Sequence, residues 1–394
     1  MADHTGIEWT DASWNPIVGC SVVSPGCTNC YAMSMARRIE AMQPGSHYAG
    51  TTKAVNGNTV WTGTVALAPE HIVTQPLRWR RARKIFVNSM GDLFHESVPD
   101  EWIDRVFAIM AITPHHTYQA LTKRSARMRA YINDPDTPRR IARSFLDAVI
   151  AGSLPKRAVN DDTWPVKSIG DIDLPDDVTM AQWPLPNVWL GVSTEDQRRA
   201  DERVPDLLAT PAAIRFISAE PLLGPLDLWN IRRYNPAGEP WIDALRGEVT
   251  RGDYLARSAS EYSFNTRTHF PGELPRLDLV IAGGESGPRA RPTHQGWARY
   301  LRDQCASSGV PFFWKQWGEW LPDSQIRDGQ HPGPKFFRLD GGPLDQKPPM
   351  GPSTGSLWHW WEPDLKASIR VGKRAAGRLL DGVEHNGLPE VEHD

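Results

Sequence analysis

The chain has 394 residues, long enough to bury a large core as one α/β domain with insertions or as two domains. A formal net charge of −3 gives no bulk signature of a nucleic-acid binder, and four cysteines, three of them clustered, argue against a disulfide framework and for a reducing compartment. Met1 to Asp11 lacks the basic-then-apolar form of a signal peptide, and the longest apolar run, Val106 to Ile112, is too short to cross a bilayer; a soluble, cytoplasmic protein with no membrane partner is expected.

In chain order, Trp9, Trp14 and Asn15-Pro16 read as a short strand and turn that deliver the chain to Cys20, Cys27 and Cys30. Thiolates are soft ligands, and the loop holding them contains Pro25 and Gly26, so the three sulfurs can converge on metal. Three ligands leave a metal position open, unlike a structural zinc site closed by four. The spacing is compatible with an iron–sulfur cluster, with zinc completed by a distant histidine or Cys305, or with plain burial of the thiols. Tyr31 to Met42 has helical apolar spacing, and its first amides would favour a negatively charged cluster; Arg37 and Arg38 read as its solvated face. Residues 44–75 read as an insertion, with Val60 to Val65 strand-like and a helix from Ala68 to Trp79.

Lys84 to Ser89 then reads as a buried strand with the polar tip Met90 to His95, followed by a helix from Pro99 to Ile112 and a strand from Thr117 to Arg124. Residues 133–186, rich in Pro and Asp, read as a second insertion. The alternation resumes with strand Asn187 to Glu195, helix Gln197 to Leu208 and strand Ile214 to Glu220. A third insertion at 229–275 precedes strand Leu277 to Glu285, helix Gln295 to Ser308 and strand Val310 to Lys315. Residues 322–356 are dense in Gly and Pro, Leu365 to Leu380 reads as a basic helix, and the acidic end after Asp381 reads as disordered.

About seven parallel strands with helices between them predict an α/β fold: a complete or partial (β/α) TIM-like barrel over 1–321, with inserted loops and an extension over 322–394. No Gly-rich dinucleotide fingerprint follows any strand, and polar residues gather at the strands' C-terminal ends, where barrel sites lie.

Cys27-Thr28-Asn29-Cys30-Tyr31-Ala32 resembles the end of the cluster loop of radical S-adenosylmethionine (SAM) enzymes, particularly the spore photoproduct lyase-like branch, although six residues rather than three separate the first two cysteines. A closer resemblance is to the phage three-cysteine-motif, radical-SAM-like proteins. It runs through Gly6 to Asp11, Trp14-Asn15-Pro16, Ser89 to Phe94, Ser218 to Leu222, Gly283 to Gly287 and Val371 to Gly382. The resemblance implies a radical SAM barrel, a [4Fe-4S] cluster on Cys20, Cys27 and Cys30, and SAM as the source of a 5′-deoxyadenosyl radical. SAM needs an acceptor for its ammonium, for which Ser89 and Asp92 stand at a strand tip, and a donor for its carboxylate, for which Lys123 or Arg124 is placed. Ser193, Thr194 and Glu195 could hold the ribose, and Glu220 and Glu285 end later strands where backbone can approach a ligand. Glu195 equally suits a helix cap, and Lys123-Arg124 a solvated pair.

For the substrate, Arg78, Arg80, Arg81, Arg83 and Lys84, with Arg124, Arg127, Arg129, Arg139, Arg140 and Arg143, would form a phosphate-binding strip interleaved with Trp79 and Tyr131 if they share a face. Ordinary exposed helix charges are the plain alternative. The functional expectation is a radical SAM enzyme modifying or repairing a nucleic-acid base or nucleotide, with a partner protein encoded nearby as a further expectation. The alternatives are a radical SAM enzyme acting on a peptide or small metabolite, and a non-catalytic, zinc-stabilised nucleic-acid-binding protein.

Overall fold

The computed structural model describes residues 5–150, 166–168, 178–232, 241–251, 268–270, 274–322 and 368–390. Its main sheet has seven strands: β1 (Ala12–Trp14), β2 (Lys84–Val87), β3 (Thr117–Thr122), β4 (Val188–Ser193), β5 (Ile214–Ala219), β6 (Leu279–Ala282) and β7 (Phe312–Trp314). They lie in sequence order, β1 and β7 at the two ends, and pair in parallel: Ala12 with Ile85, Ile85 with Tyr118, Val188 with Tyr118, and Val280 with Phe312. Parallel neighbours need long crossovers, and these contain the helices. Every residue of β4 and β6 is buried, as expected for strands covered on both faces. The chain is thus an α/β protein with a parallel sheet and intervening helices, as the sequence predicts.

The main helices are α1 (Tyr31–Met42), α2 (Asp100–Ala111), α3 (Ser125–Asn133), α4 (Thr137–Ile150), α5 (Gln197–Leu208) and α6 (Gln295–Ser308). α1 buries Ala32, Met33 and Ala36 in a cluster with Val18, Tyr48, Trp61 and Met90, which anchors the helix that follows the cysteines. Full burial of a Met or Val side chain stabilises by roughly 1.5–3 kcal/mol. α6 begins at His294, whose Nδ1 accepts from the Gly296 N–H, and stops at Gly309, which takes the left-handed conformation (φ 65°) open to glycine.

Two compact units divide the chain. The first comprises Met1–Ser193 and Arg203–Phe216, the second Thr194–Glu202 and Ile217–Asp394. In the second unit, residues 229–275 carry a four-stranded antiparallel sheet of Ile231–Arg232, Trp241–Asp243, Glu248–Arg251 and Thr268–Phe270.

Four local expectations are corrected. Residues 133–186 are not wholly a loop: α4 runs through them, burying Ile141, Ala142, Phe145 and Val149, and packs on α2 and on the strand Val178–Met180. The helix from Ala68 to Trp79 is two short turns, Glu70–Val73 and a 3-10 turn Gln75–Arg78, because Pro76 cannot supply the amide a continuous helix needs. Among the described residues of Leu365 to Leu380, Ser368–Arg370 is a strand paired with Trp320–Pro322, and Lys373–Ala376 is the one helical segment, bounded by Gly372 (φ 87°) and Gly377 (φ 68°). Residues 381–390 are ordered against β7: the Trp314 N–H donates to the His385 carbonyl, and the Gly387 N–H to that of Phe312. Residues 323–356 of the Gly- and Pro-rich extension lie outside the described residues.

Candidate functional site

The cysteine loop leaves β1 through Asn15-Pro16 and the short strand Ile17–Val18, which pairs with Ala66–Leu67. Buried Asn15 ties it to the tip of β2, its Oδ1 accepting from Ser89 Oγ (3.1 Å) and from the Met90 N–H (2.9 Å). Two glycines permit the approach. Gly19 has φ 92°, and a Cβ there would lie 2.1 Å from Thr64 O, while a Cβ on Gly91 would lie 3.0 Å from the carbonyl oxygens of Gly19 and Ile17.

Cys27 closes the 3-10 turn Pro25–Cys27 and is buried; Cys20 and Cys30 are half-buried. Cys30 is the residue before the first turn of α1, its carbonyl accepts from the Met33 N–H at 3.3 Å, and the neighbouring Ala32 and Met33 amides favour its thiolate. Burial pushes the Cys20 thiol up to about 12, with Asp92 adding to the rise and Arg124 opposing it. Burial likewise raises Cys30, against the two amides and the Lys123 ammonium. Proximity to Cys27 adds a small further rise at both Cys20 and Cys30.

The residues just beyond β3 supply cations to this site. Arg124 is buried, and its Nη1 donates to Cys20 Sγ (3.3 Å) and Asp92 Oδ2 (3.1 Å). Its Nη2 donates to Ser21 Oγ (2.7 Å) and the Ser21 carbonyl (3.2 Å), and its Nε lies 3.4 Å from Glu96. Burial works against the guanidinium charge, but Asp92, Cys20 and Glu96 outweigh it and hold its pKa above the ordinary value. The Lys123 ammonium donates to Ser193 Oγ at 3.0 Å. His95 Nδ1 accepts from the Ser97 N–H, so its proton belongs on Nε2, which faces Ser21 Oγ at 2.9 Å. Burial, aided by Arg124, lowers the His95 pKa.

The structure therefore brings together Cys20, Cys27, Cys30, Asp92 and Lys123 of the sequence-predicted set, with Ser193 reached through Lys123. Ser89 stands beside Asn15, and its carbonyl accepts from the Tyr31 hydroxyl at 3.3 Å. Asp92 is buried and takes four donors: the Phe94 N–H, Thr122 Oγ1, the Lys123 N–H and Arg124 Nη1. Glu195, Glu220 and Glu285 belong to the second unit. Glu195 is buried, Glu220 accepts from Lys315 Nζ at 2.8 and 3.0 Å, and Glu285 is clamped by Arg291 through Nε (2.8 Å) and Nη2 (2.6 Å). The sequence reading places Arg124 as an alternative to Lys123 or in the arginine strip, not on the cysteine loop, and misses Ser21 and Lys315. Lys315 was within reach, since it ends a predicted strand as Glu220 does.

Several arginines of the expected strip are engaged within the fold. Arg127 pairs with Asp100 (2.8 Å), Arg129 with Asp206 (3.2 Å), Arg140 with Asp134 (2.7 Å) and Arg124 with Asp92, while Arg83 lies over Trp79. Arg78 to Lys84 enter β2 at its N-terminal end, whereas the cysteines follow the C-terminal end of β1, which runs parallel to it.

Among the described residues, no three His, Cys, Asp or Glu side chains converge closely enough to hold a single metal ion. No helix among them is long and apolar enough to cross a membrane. The family model described as "Protein of unknown function (DUF5131)" matches residues 4–389. No curated protein and no solved structure matches the chain. With nearly its whole length matched, the chain belongs to the DUF5131 family.

Proposed function

We propose that this protein is a radical SAM enzyme, built on a partial TIM-like barrel, that holds a [4Fe-4S] cluster on Cys20, Cys27 and Cys30. One observation carries the reading: three thiols after the first strand of a parallel sheet, with a guanidinium donating to Cys20 and an ammonium and the first amides of α1 near Cys30. The donor set fits the group. Soft sulfur ligands suit iron–sulfur, and the cations and amides oppose the burial that disfavours bare thiolates. In a cubane each thiolate binds a different iron, so the ligands surround a body and need not meet at a point.

When bound, cluster and SAM would supply the one-electron cleavage that yields a 5′-deoxyadenosyl radical. The chain's own residues bind and orient. Lys123 and Ser193, joined by a hydrogen bond, suit SAM's carboxylate and ribose, and Ser89 is a hydroxyl at the neighbouring strand tip. Asp92, already holding four donors, serves better as the brace of Arg124 than as the ammonium acceptor.

A nucleic-acid base or nucleotide is the substrate reading, resting on the resemblance to the photoproduct lyase-like branch; the paired arginines lend it no support. A peptide or small metabolite is the alternative within the same chemistry, and a partner encoded nearby is retained as a proposal.

The test is anaerobic reconstitution with iron and sulfide, followed by EPR of the dithionite-reduced protein with and without SAM. A cluster signal that changes on adding SAM and is lost in Cys20→Ala, Cys27→Ala and Cys30→Ala is the expected result. A colourless protein carrying stoichiometric zinc and no such signal would overturn it in favour of a zinc-stabilised binding protein.

A further inference from the structure

We propose that Arg124 is a positioning residue that fixes Cys20 and sets the reduction potential of the cluster. The inference rests on the cluster reading above. A buried Arg–carboxylate pair commonly meets fork to fork, two parallel N–H groups on two oxygens. Here Asp92 takes only one arm, at 3.1 Å, because its other acceptor positions are filled by Phe94, Thr122 and Lys123. Nε faces Glu96 at 3.4 Å, and both Nη groups face the cysteine loop: Nη1 also reaches Cys20 Sγ at 3.3 Å, and Nη2 holds both the hydroxyl and the carbonyl of Ser21.

Thus one guanidinium grips two consecutive loop residues, the first of them a proposed ligand. Arg124 is 6% exposed, so little water screens its charge from the sulfur. Reducing a cluster adds negative charge, which a nearby cation and an N–H donated to a ligand sulfur both favour. Residues that hydrogen-bond to ligands also orient them and strengthen metal retention. A lysine ammonium would keep the charge but lose the planar fork that spans Cys20, Ser21 and Asp92.

The experiment compares the full-length wild type with Arg124→Met, Arg124→Lys and Ser21→Ala. Each is reconstituted anaerobically, assayed for iron per chain, titrated by EPR for midpoint potential, and checked for fold by circular dichroism. Arg124→Met should move the potential to more negative values, about a tenfold fall in the reduced-to-oxidised ratio at fixed potential, or ~59 mV for one electron. Arg124→Lys should shift it in the same direction by less, while losing iron faster than wild type. Ser21→Ala keeps the contact to Cys20 and should keep the wild-type potential.

If Arg124→Met does not fold, Arg124→Lys decides by the same readout. Wild-type potential in the folded Arg124 variants overturns the proposal even if iron content falls, because a purely structural role would leave the remaining cluster unmoved. A wild type that takes up no cluster overturns the cluster reading itself, and this inference with it.

Discussion

At Asp92 the sequence offers a carboxylate at a strand tip, the place for a ligand contact, and the fold uses it internally, with four donors and a buried guanidinium. The residue type was legible, but its partners, drawn from the tips of two strands, were not. His116 tells a similar story at the other end of β3. It is fully buried, its Nε2 faces the Pro76 carbonyl at 3.3 Å, and its Nδ1 has no partner. Burial, with neighbouring His115 a smaller cause, pulls its pKa down to about 4. Between about pH 6.5 and pH 4 the unfolded chain therefore binds a proton that the folded chain refuses, so this contribution to stability is present above pH 6.5 and lost as pH falls through that window. The loss is on the order of 3 kcal/mol. Denaturant unfolding at pH 7 and pH 4.5 should show a smaller pH dependence in His116→Phe than in wild type; equal slopes would refute the assignment.

At the scale of elements, α4 separates pattern from composition. Residues 133–186 look like an insertion because Pro and Asp dominate them, yet Ile141, Ala142, Phe145 and Val149 recur at the spacing of a buried helical face. That face packs on α2. Phe145→Ala should cost about 3–5 kcal/mol, measured by urea unfolding, since the side chain is 1% exposed and its removal leaves a cavity. A cost below about 1 kcal/mol would show that the helix is peripheral to the fold's stability. The cysteine element shows the reverse case. Its loop was readable from Cys20 to Cys30, and α1 begins at Tyr31 as the periodicity predicts. The loop's bracing against Thr64 and Gly91 depends on backbone approach that no residue pattern displays.

At the scale of the whole molecule, β7 ends the main sheet, and an unprotected terminal strand is a template for association. Residues after Asp381 cover it, through Trp314 to His385 and Gly387 to Phe312. Deleting residues 381–394 should lower the melting temperature by several degrees, since two backbone hydrogen bonds contribute roughly 0.5–1.5 kcal/mol each, and should promote self-association visible by light scattering. An unchanged melt and a monodisperse sample would show that the tail is dispensable. The sequence suggested a disordered end there, because acidic composition speaks to solvation and says nothing of a partner strand.

By itself the sequence determined the α/β class, all seven strands of the parallel sheet, most of the helices and the three-cysteine loop, because burial periodicity, breakers and ligand spacing are local properties of the chain. Tertiary structure alone decided which polar residues meet. Arg124 turns to Cys20 rather than to solvent, Asp92 becomes its brace, Glu285 is clamped by Arg291, and Arg127, Arg129 and Arg140 of the expected strip pair with carboxylates. A charged side chain's role depends on which opposite charge and how much water surround it, and both are set only when distant segments pack together.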